Sequence, residues 1–157
     1  MITYAPQLFE RLRPVSNLPE WSLPQDDIGI APCEPSVLVA DDDPDIAPLV
    51  DASLKPFHIC TEAVSGGVEA MMRLRVRKYD LVILDLGMAD VHGYDVLRAL
   101  RRLPLNRDVP VLILTANGTN EAIARSFGHG ADEFVKKPFD PREFGLRAFR
   151  LIRPFEN

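Results

Sequence analysis

Three short apolar runs in this chain each end at a polar residue, and this pattern limits the fold more than any other feature. The runs are residues 37–40 before Asp41-Asp42-Asp43, residues 81–84 before Asp85, and residues 111–114 before Thr115. A fourth and shorter run, Phe134-Val135, precedes Lys136-Lys137. Continuous apolar runs of this length are typical of strands buried on both faces of a parallel sheet. Because ligands bind at the carboxyl ends of such strands, the sequence predicts a site that combines carboxylates, a hydroxyl and an ammonium group.

Predicted helices alternate with these strands. Apolar residues between 46 and 54 recur at helical spacing, and we expect Asp43 to cap this first helix and Pro48 to distort it. Residues 57–60 are predicted as the second strand, and Gly66-Gly67 is predicted to open the second helix. Five strand–helix units between residues 36 and 157 predict an α/β fold, in which an open parallel sheet carries helices on both faces.

Composition narrows the class of protein. A chain of 157 residues that is 46% apolar and 26% charged can form one globular domain with a substantial core. Its net charge of −5 argues against a nucleic-acid-binding surface. The two cysteines, Cys33 and Cys60, lack metal-ligand spacing, and Cys60 is expected to be a buried thiol. Because no apolar stretch approaches 18 residues and no signal peptide is visible, we expect a cytoplasmic protein without membrane contact.

The first 35 residues differ from the rest of the chain. They contain six prolines, which oppose a long helix or a central strand. They also contain Trp21, the only tryptophan, and linkers rarely include this residue. We therefore expect residues 1–35 to be a partly ordered proline-rich arm against the domain or a partner. The domain itself is predicted to span residues 36–153, and residues 154–157 are a tail or the start of a linker.

The polar residues at the strand ends are of the types that bind a divalent cation and a phosphoryl group. Asp41 and Asp42 repel each other unless a cation relieves them, and a hard divalent cation such as Mg2+ takes carboxylate oxygens. Asp85 could then attack a phosphoryl group, while Thr115 and Lys137 contact its oxygens. Each residue alone also has an ordinary interpretation: a solvated acidic loop, a strand-ending charge, a helix cap and a solvated lysine pair.

Taken in order, these stretches resemble the receiver domain of two-component response regulators over about residues 36–153. The matching segments are residues 37–44, residues 80–86 with His92-Gly93, residues 110–116, and residues 130–139. The resemblance implies a flavodoxin-like, doubly wound, five-stranded parallel sheet of order 2-1-3-4-5 with five helices. It also implies a phosphoacceptor that promotes its own phosphoryl transfer and slow autodephosphorylation, rather than an enzyme.

The resemblance assigns a role to each position. Asp85 would accept the phosphoryl group from a sensor histidine kinase. Mg2+ would be held by Asp41, Asp42, Asp85 and the backbone carbonyl of Gly87, with Asp41 bound directly or through water. Thr115 and Lys137 would contact the phosphoryl group. Phe134 would be the aromatic switch that rotates inward when Thr115 moves, which changes the face formed by the fourth helix, fifth strand and fifth helix.

Partners and departures follow from the same resemblance. Glu133 and Arg147 are spaced as in regulators that form homodimers through this face, although ordinary solvated charges explain them equally well. Ala89 stands where the family usually has proline, which predicts a more mobile loop after Asp85. Gly87 and Asn117 occupy positions that influence the lifetime of the aspartyl phosphate.

Two other classes compete with this interpretation. A receiver-like module could act through protein contacts without phosphorylation. Alternatively, Asp41-x-Asp43 after an apolar strand superficially matches the nucleophile motif of haloacid-dehalogenase-type hydrolases. That interpretation leaves Asp85 without a role as a nucleophile, and Asp45 stands where those enzymes usually have threonine or valine.

Overall fold

Five parallel strands form a single sheet in the order β2-β1-β3-β4-β5. The computed structural model describes residues 35–153. The strands are β1 (Ser36–Ala40), β2 (Cys60–Val64), β3 (Leu81–Leu84), β4 (Val111–Thr115) and β5 (Glu133–Lys136). The predicted fold class and strand order are therefore confirmed. The predicted tail, and all of the predicted arm except Pro35, lie outside the described residues.

A helix follows each strand. The helices are α1 (Ile46–Leu54), α2 (Gly67–Val76), α3 (Gly93–Leu100), α4 (Asn120–Gly128) and α5 (Pro141–Ile152), and a 3-10 turn (Lys55–Phe57) follows α1. Between residues 35 and 153, no helix combines the length and the apolar character that crossing a membrane requires.

Alternate residues of the buried strands supply two separate cores. Along β1, Val37 and Val39 face the apolar cluster that includes residues of α1 and α5. Leu38 and Ala40 face the opposite cluster, which includes residues of α2 and α3. Because successive side chains of a strand point to opposite faces, a continuous apolar run is required here rather than an alternating one.

Three local expectations were wrong. The strand predicted at residues 57–60 begins only at Cys60, since Phe57 lies in the 3-10 turn and His58 has a positive φ of 56°. Asp43 does not cap α1, because Asp45 occupies the N-cap position and makes no side-chain capping bond. Pro48 is the third residue of α1, where the backbone N–H has no partner within the helix, so proline removes no helical hydrogen bond.

Cys60 also departs from the expectation of a buried thiol. The residue is half-buried at the start of β2, and its sulfur is disulfide-bonded. The expectation of a buried thiol at this position was therefore wrong.

Strand register brings the functional sequence positions together. Ala40 pairs with Leu84 across β1 and β3, so Asp41 and Asp85 leave the sheet side by side. A backbone hydrogen bond of 2.9 Å from Asp85 N–H to the Ala40 carbonyl extends this pairing by one residue. On the other side of β3, Thr115 of β4 lies opposite Lys136 of β5.

Candidate functional site

Three carboxylates converge at the carboxyl ends of β1 and β3. Asp41, Asp42 and Asp85 each place one oxygen within 4.8 Å of the others. Asp41 and Asp85 are buried, whereas Asp42 is exposed. A compact set of carboxylate oxygens with one open side matches the preference of Mg2+, which takes one or two carboxylates and keeps several waters. The donor set therefore fits the metal expected from the sequence.

Lys137 joins this acidic group from β5. Its ammonium nitrogen lies 2.6 Å from Oδ2 of Asp41 and 3.8 Å from Oδ2 of Asp85. The Lys137 side chain is only 15% exposed, so these contacts are partly shielded from solvent. Lys137 follows β5 and precedes a cis proline bond, and its backbone N–H donates to the Thr115 carbonyl at 2.9 Å. The Lys137 ammonium group therefore offsets the repulsion between the buried carboxylates of Asp41 and Asp85.

Burial has the largest effect on the pKa of the Asp41 carboxyl group. It raises the pKa of this carboxyl group above its ordinary value, and the nearby charge of Asp85 acts in the same direction. The hydrogen bonds from Lys137 and from the Asp43 backbone N–H lower the pKa and offset part of that rise. Three carboxylates and one ammonium group leave this strand end with a surplus of negative charge, which favours the binding of a further cation.

Thr115 and Gly87 lie at or just beyond the carboxyl ends of β4 and β3, whereas Phe134 lies within β5. Thr115 is buried at the end of β4, and its hydroxyl oxygen accepts a 3.4 Å hydrogen bond from the Asn117 backbone N–H. Gly87 is exposed, and a Cβ atom there would lie 3.8 Å from Oδ2 of Asp85, in ordinary van der Waals contact. Phe134 is half-buried on β5 and packs against the α2–α3 side of the core. The predicted rotation of Phe134 stays a prediction.

The loop from β3 to α3 carries two contacts that the sequence did not reveal. The Ala89 backbone N–H donates to Oδ2 of Asp42 at 3.0 Å, a bond that a proline at this position could not make. The carboxylate of Asp90 accepts hydrogen bonds of 2.9 Å from the backbone N–H groups of Gly67 and Val68. One sequence signal was present: Gly66, at the N-cap of α2, has no side chain to cap its own helix.

Gly93 fixes the position of this loop. A Cβ atom at Gly93 would collide with the Asp85 carbonyl and would come within 2.7 Å of Leu86 Cα. The Gly93 N–H also donates to the Leu86 carbonyl at 3.0 Å. The start of α3 therefore packs directly on the backbone of the candidate phosphoacceptor.

Sequence comparison identifies relatives over this same region. Residues 37–148 match the response regulator receiver domain family. The chain is 35% identical over 119 residues to the DNA-binding dual master transcriptional regulator RpaA of Synechocystis, a match that covers 76% of this chain and 49% of the relative. It is 34% identical over 121 residues to the DNA-binding response regulator MtrA of Mycolicibacterium smegmatis, which covers 77% of this chain and 52% of the relative. The chain spans about half the length of these curated relatives.

Solved structures with similar folds are also receiver domains. The receiver domain of a Francisella response regulator is 32% identical, with a TM-score of 0.69, and the match covers 76% of this chain and 97% of that one. The BeF3-activated DrrB receiver domain is 26% identical, with a TM-score of 0.68, covering 74% and 96%. The family match, the relatives and the strand-end residues agree, and the chain belongs to the response regulator receiver domain family of two-component systems.

Proposed function

We propose that this receiver accepts a phosphoryl group on Asp85 from the phosphohistidine of a sensor histidine kinase, with Mg2+ as cofactor. The observation that carries the proposal is the contact of Lys137 with Asp41 and Asp85, at 2.6 and 3.8 Å, inside a cluster of three carboxylates. A structural ion pair would need only one carboxylate beside the lysine. The surplus of negative charge at this strand end indicates a site for a further cation.

Each residue has a separate task in the transfer. A carboxylate oxygen of Asp85 forms a bond to phosphorus as the bond from phosphorus to the donor nitrogen breaks. Lys137 lies 3.8 Å from the attacking group and would provide a fixed positive charge for the phosphoryl oxygens. The Thr115 hydroxyl, at the adjacent strand end, would donate a hydrogen bond to one of those oxygens. Mg2+, held by Asp41, Asp42, Asp85 and the Gly87 carbonyl, would neutralise charge on the transferring group.

Phosphorylation would then change the surface formed by α4, β5 and α5, which we call the α4–β5–α5 face. The new group adds about −1.5 to −2 charges and three acceptor oxygens beside Thr115. Movement of Thr115 toward it would leave space that Phe134 fills by rotating inward. Because the phosphoryl group interacts differently with the two arrangements, their populations shift.

We propose that this shift promotes homodimerisation through the α4–β5–α5 face. Sedimentation across a wide concentration range, with and without phosphorylation, tests it, and an unchanged mass would exclude the dimer.

The remaining assignments belong to the same proposal. Residues 36–153 act as the receiver, residues 1–35 as an arm and residues 154–157 as a tail or linker start. The chain works in the cytoplasm and slowly removes its own phosphoryl group. With a net charge of −5, it binds no nucleic acid itself, although the relatives are named as DNA-binding regulators.

The test is incubation of the purified chain with Mg2+ and acetyl phosphate, followed by measurement of its intact mass. We expect one phosphoryl adduct that disappears without Mg2+ and in Asp85→Ala. Asp45→Ala is the matched control, because Asp45 is exposed and its side chain makes no capping hydrogen bond, so this variant should still form the adduct.

The alternative is a receiver-like interaction module that works without phosphorylation. No adduct on folded wild-type protein, with a histidine kinase as well as with acetyl phosphate, would favour this alternative. An adduct that persists in Asp85→Ala would place the acceptor elsewhere and contradict the proposed role of Asp85.

A further inference from the structure

The β3–α3 loop contains a hydrogen bond directed at one of the candidate metal ligands. The Ala89 backbone N–H donates to Oδ2 of Asp42 at 3.0 Å, although the two residues are 47 positions apart in the chain. Asp42 is the exposed member of the carboxylate cluster, so packing against neighbours does little to fix its rotamer. The bond holds one oxygen of Asp42 and leaves the other available for a metal.

A second contact fixes the backbone that carries this donor. Asp90, the next residue, accepts hydrogen bonds from the N–H groups of Gly67 and Val68, each at 2.9 Å, and from its neighbour Val91 at 2.7 Å. The N–H groups of Gly67 and Val68 belong to the first turn of α2 and have no partner within the helix. Gly66, at the N-cap, has no side chain that could accept from them. These bonds also lower the pKa of Asp90, because they stabilise its carboxylate form. The loop is therefore fastened to α2 at Asp90 and to the β1–α1 loop at Ala89.

We infer that the Ala89 N–H is a positioning group for the metal site, and that Asp90 holds it in place by fastening the loop to the start of α2. A metal ligand whose orientation is fixed by an outer hydrogen bond loses less freedom on binding, and loss of such a partner typically weakens metal affinity about tenfold or more. In this chain, the hydrogen bond to Asp42 comes from the Ala89 backbone N–H, a donor that proline lacks. The inference rests on the proposed Mg2+ site.

Isothermal titration of the full chain with MgCl2 tests the inference without measuring phosphorylation. Ala89→Pro removes the N–H at a position where the family usually has proline, and we expect Mg2+ binding about tenfold weaker than in wild type. Ala89→Gly keeps the N–H and should bind within about twofold. Asp90→Ala should weaken binding in the same direction, whereas Asp95→Ala, an exposed carboxylate in the first turn of α3, is its charge-matched control and should not.

Residue-resolved amide exchange in metal-free protein provides an independent readout. The Ala89 amide should be protected in wild type, and it should exchange faster in Asp90→Ala but not in Asp95→Ala. Exchange of the Ala89 amide at an unprotected rate in wild type would overturn the inference, because the bond would then be absent in solution.

The outcomes distinguish failure of the positioning role of Ala89 from failure of the proposed Mg2+ site. If wild type binds Mg2+ and Ala89→Pro binds equally well or more tightly, the inference is wrong and the proposed metal site stands. If folded wild type binds no Mg2+, both the metal site and the inference fail. Weaker binding by Ala89→Pro and Asp90→Ala, with both controls unchanged, would support the inference.

Discussion

Replacing Lys137 with methionine should destabilise the metal-free protein strongly, because it leaves two buried carboxylates without their cation. Lys137→Met keeps most of the side-chain volume and removes only the charge and its hydrogen bonds. The side chains of Asp41 and Asp85 are 3% and 9% exposed, so water can compensate only in part.

The size of the effect follows from the distances. At an effective dielectric constant of about 20, contacts of 2.6 and 3.8 Å correspond to about 6 and 4 kcal/mol of Coulomb attraction, before the desolvation of the lysine is subtracted. Removing one partner of a buried ion pair typically costs about 3–5 kcal/mol. Because the pocket is open at Asp42, we expect the lower end, about 3 kcal/mol, or a fall in Tm of about 12 °C for a domain of this size.

Urea denaturation in EDTA measures this loss, and Lys136→Met is the matched control. Lys136 is the exposed neighbour, and its side chain passes over Gly118. The control should change the free energy of unfolding by less than about 0.5 kcal/mol. Added Mg2+ should stabilise Lys137→Met more than wild type. A loss below about 1 kcal/mol in Lys137→Met would refute the claim that this lysine neutralises the pocket.

Three further predictions concern residues outside the carboxylate cluster. Gly93→Ala should lose about 2 kcal/mol of stability in urea denaturation, because its Cβ would collide with the backbone of the phosphoacceptor; Gly128→Ala, with no atom within 4 Å of its Cβ, should be neutral or slightly stabilising. Asn106→Ala should lower thermal stability by about 3 kcal/mol, since the 1% exposed Asn106 hydrogen-bonds three backbone groups. Burial and the hydrogen bond to Glu62 raise the pKa of Tyr79, so stability that is full below about pH 10 should fall above it, and Tyr79→Phe should remove this dependence.

The sheet and the position of the candidate site were predictable because both depend on the same apolar runs. Runs such as residues 81–84 can only be buried on both faces, and the polar residue that follows each run must then lie at one edge of the sheet. The pattern therefore predicts that Asp41, Asp85 and Lys137 lie close together. Their contacts in the structure, down to 2.6 Å, agree with that expectation.

The remaining features depend on backbone positions that residue type does not reveal. Pro48 seemed disruptive in sequence, but its effect depends on whether the helix begins two residues before it or earlier. The bond from Ala89 to Asp42 comes from a backbone N–H that every residue except proline possesses. Similarly, nothing local indicates that Asp90 caps a helix 22 residues earlier in the chain.

The ion pairs of Glu133 have a consequence for assembly. This carboxylate already lies 3.4 Å from Arg147 and 3.1 Å from Arg150 within the same chain. If two copies paired these charges across an α4–β5–α5 interface, each Glu133 would exchange its arginine partners within the chain for the same arginines of the other copy. The number of ion pairs would not change. Ionic strength should then shift the monomer–dimer equilibrium only weakly. Any net gain in association energy would come from apolar surface instead, such as Leu146 of α5, a residue that is 61% exposed in the single chain.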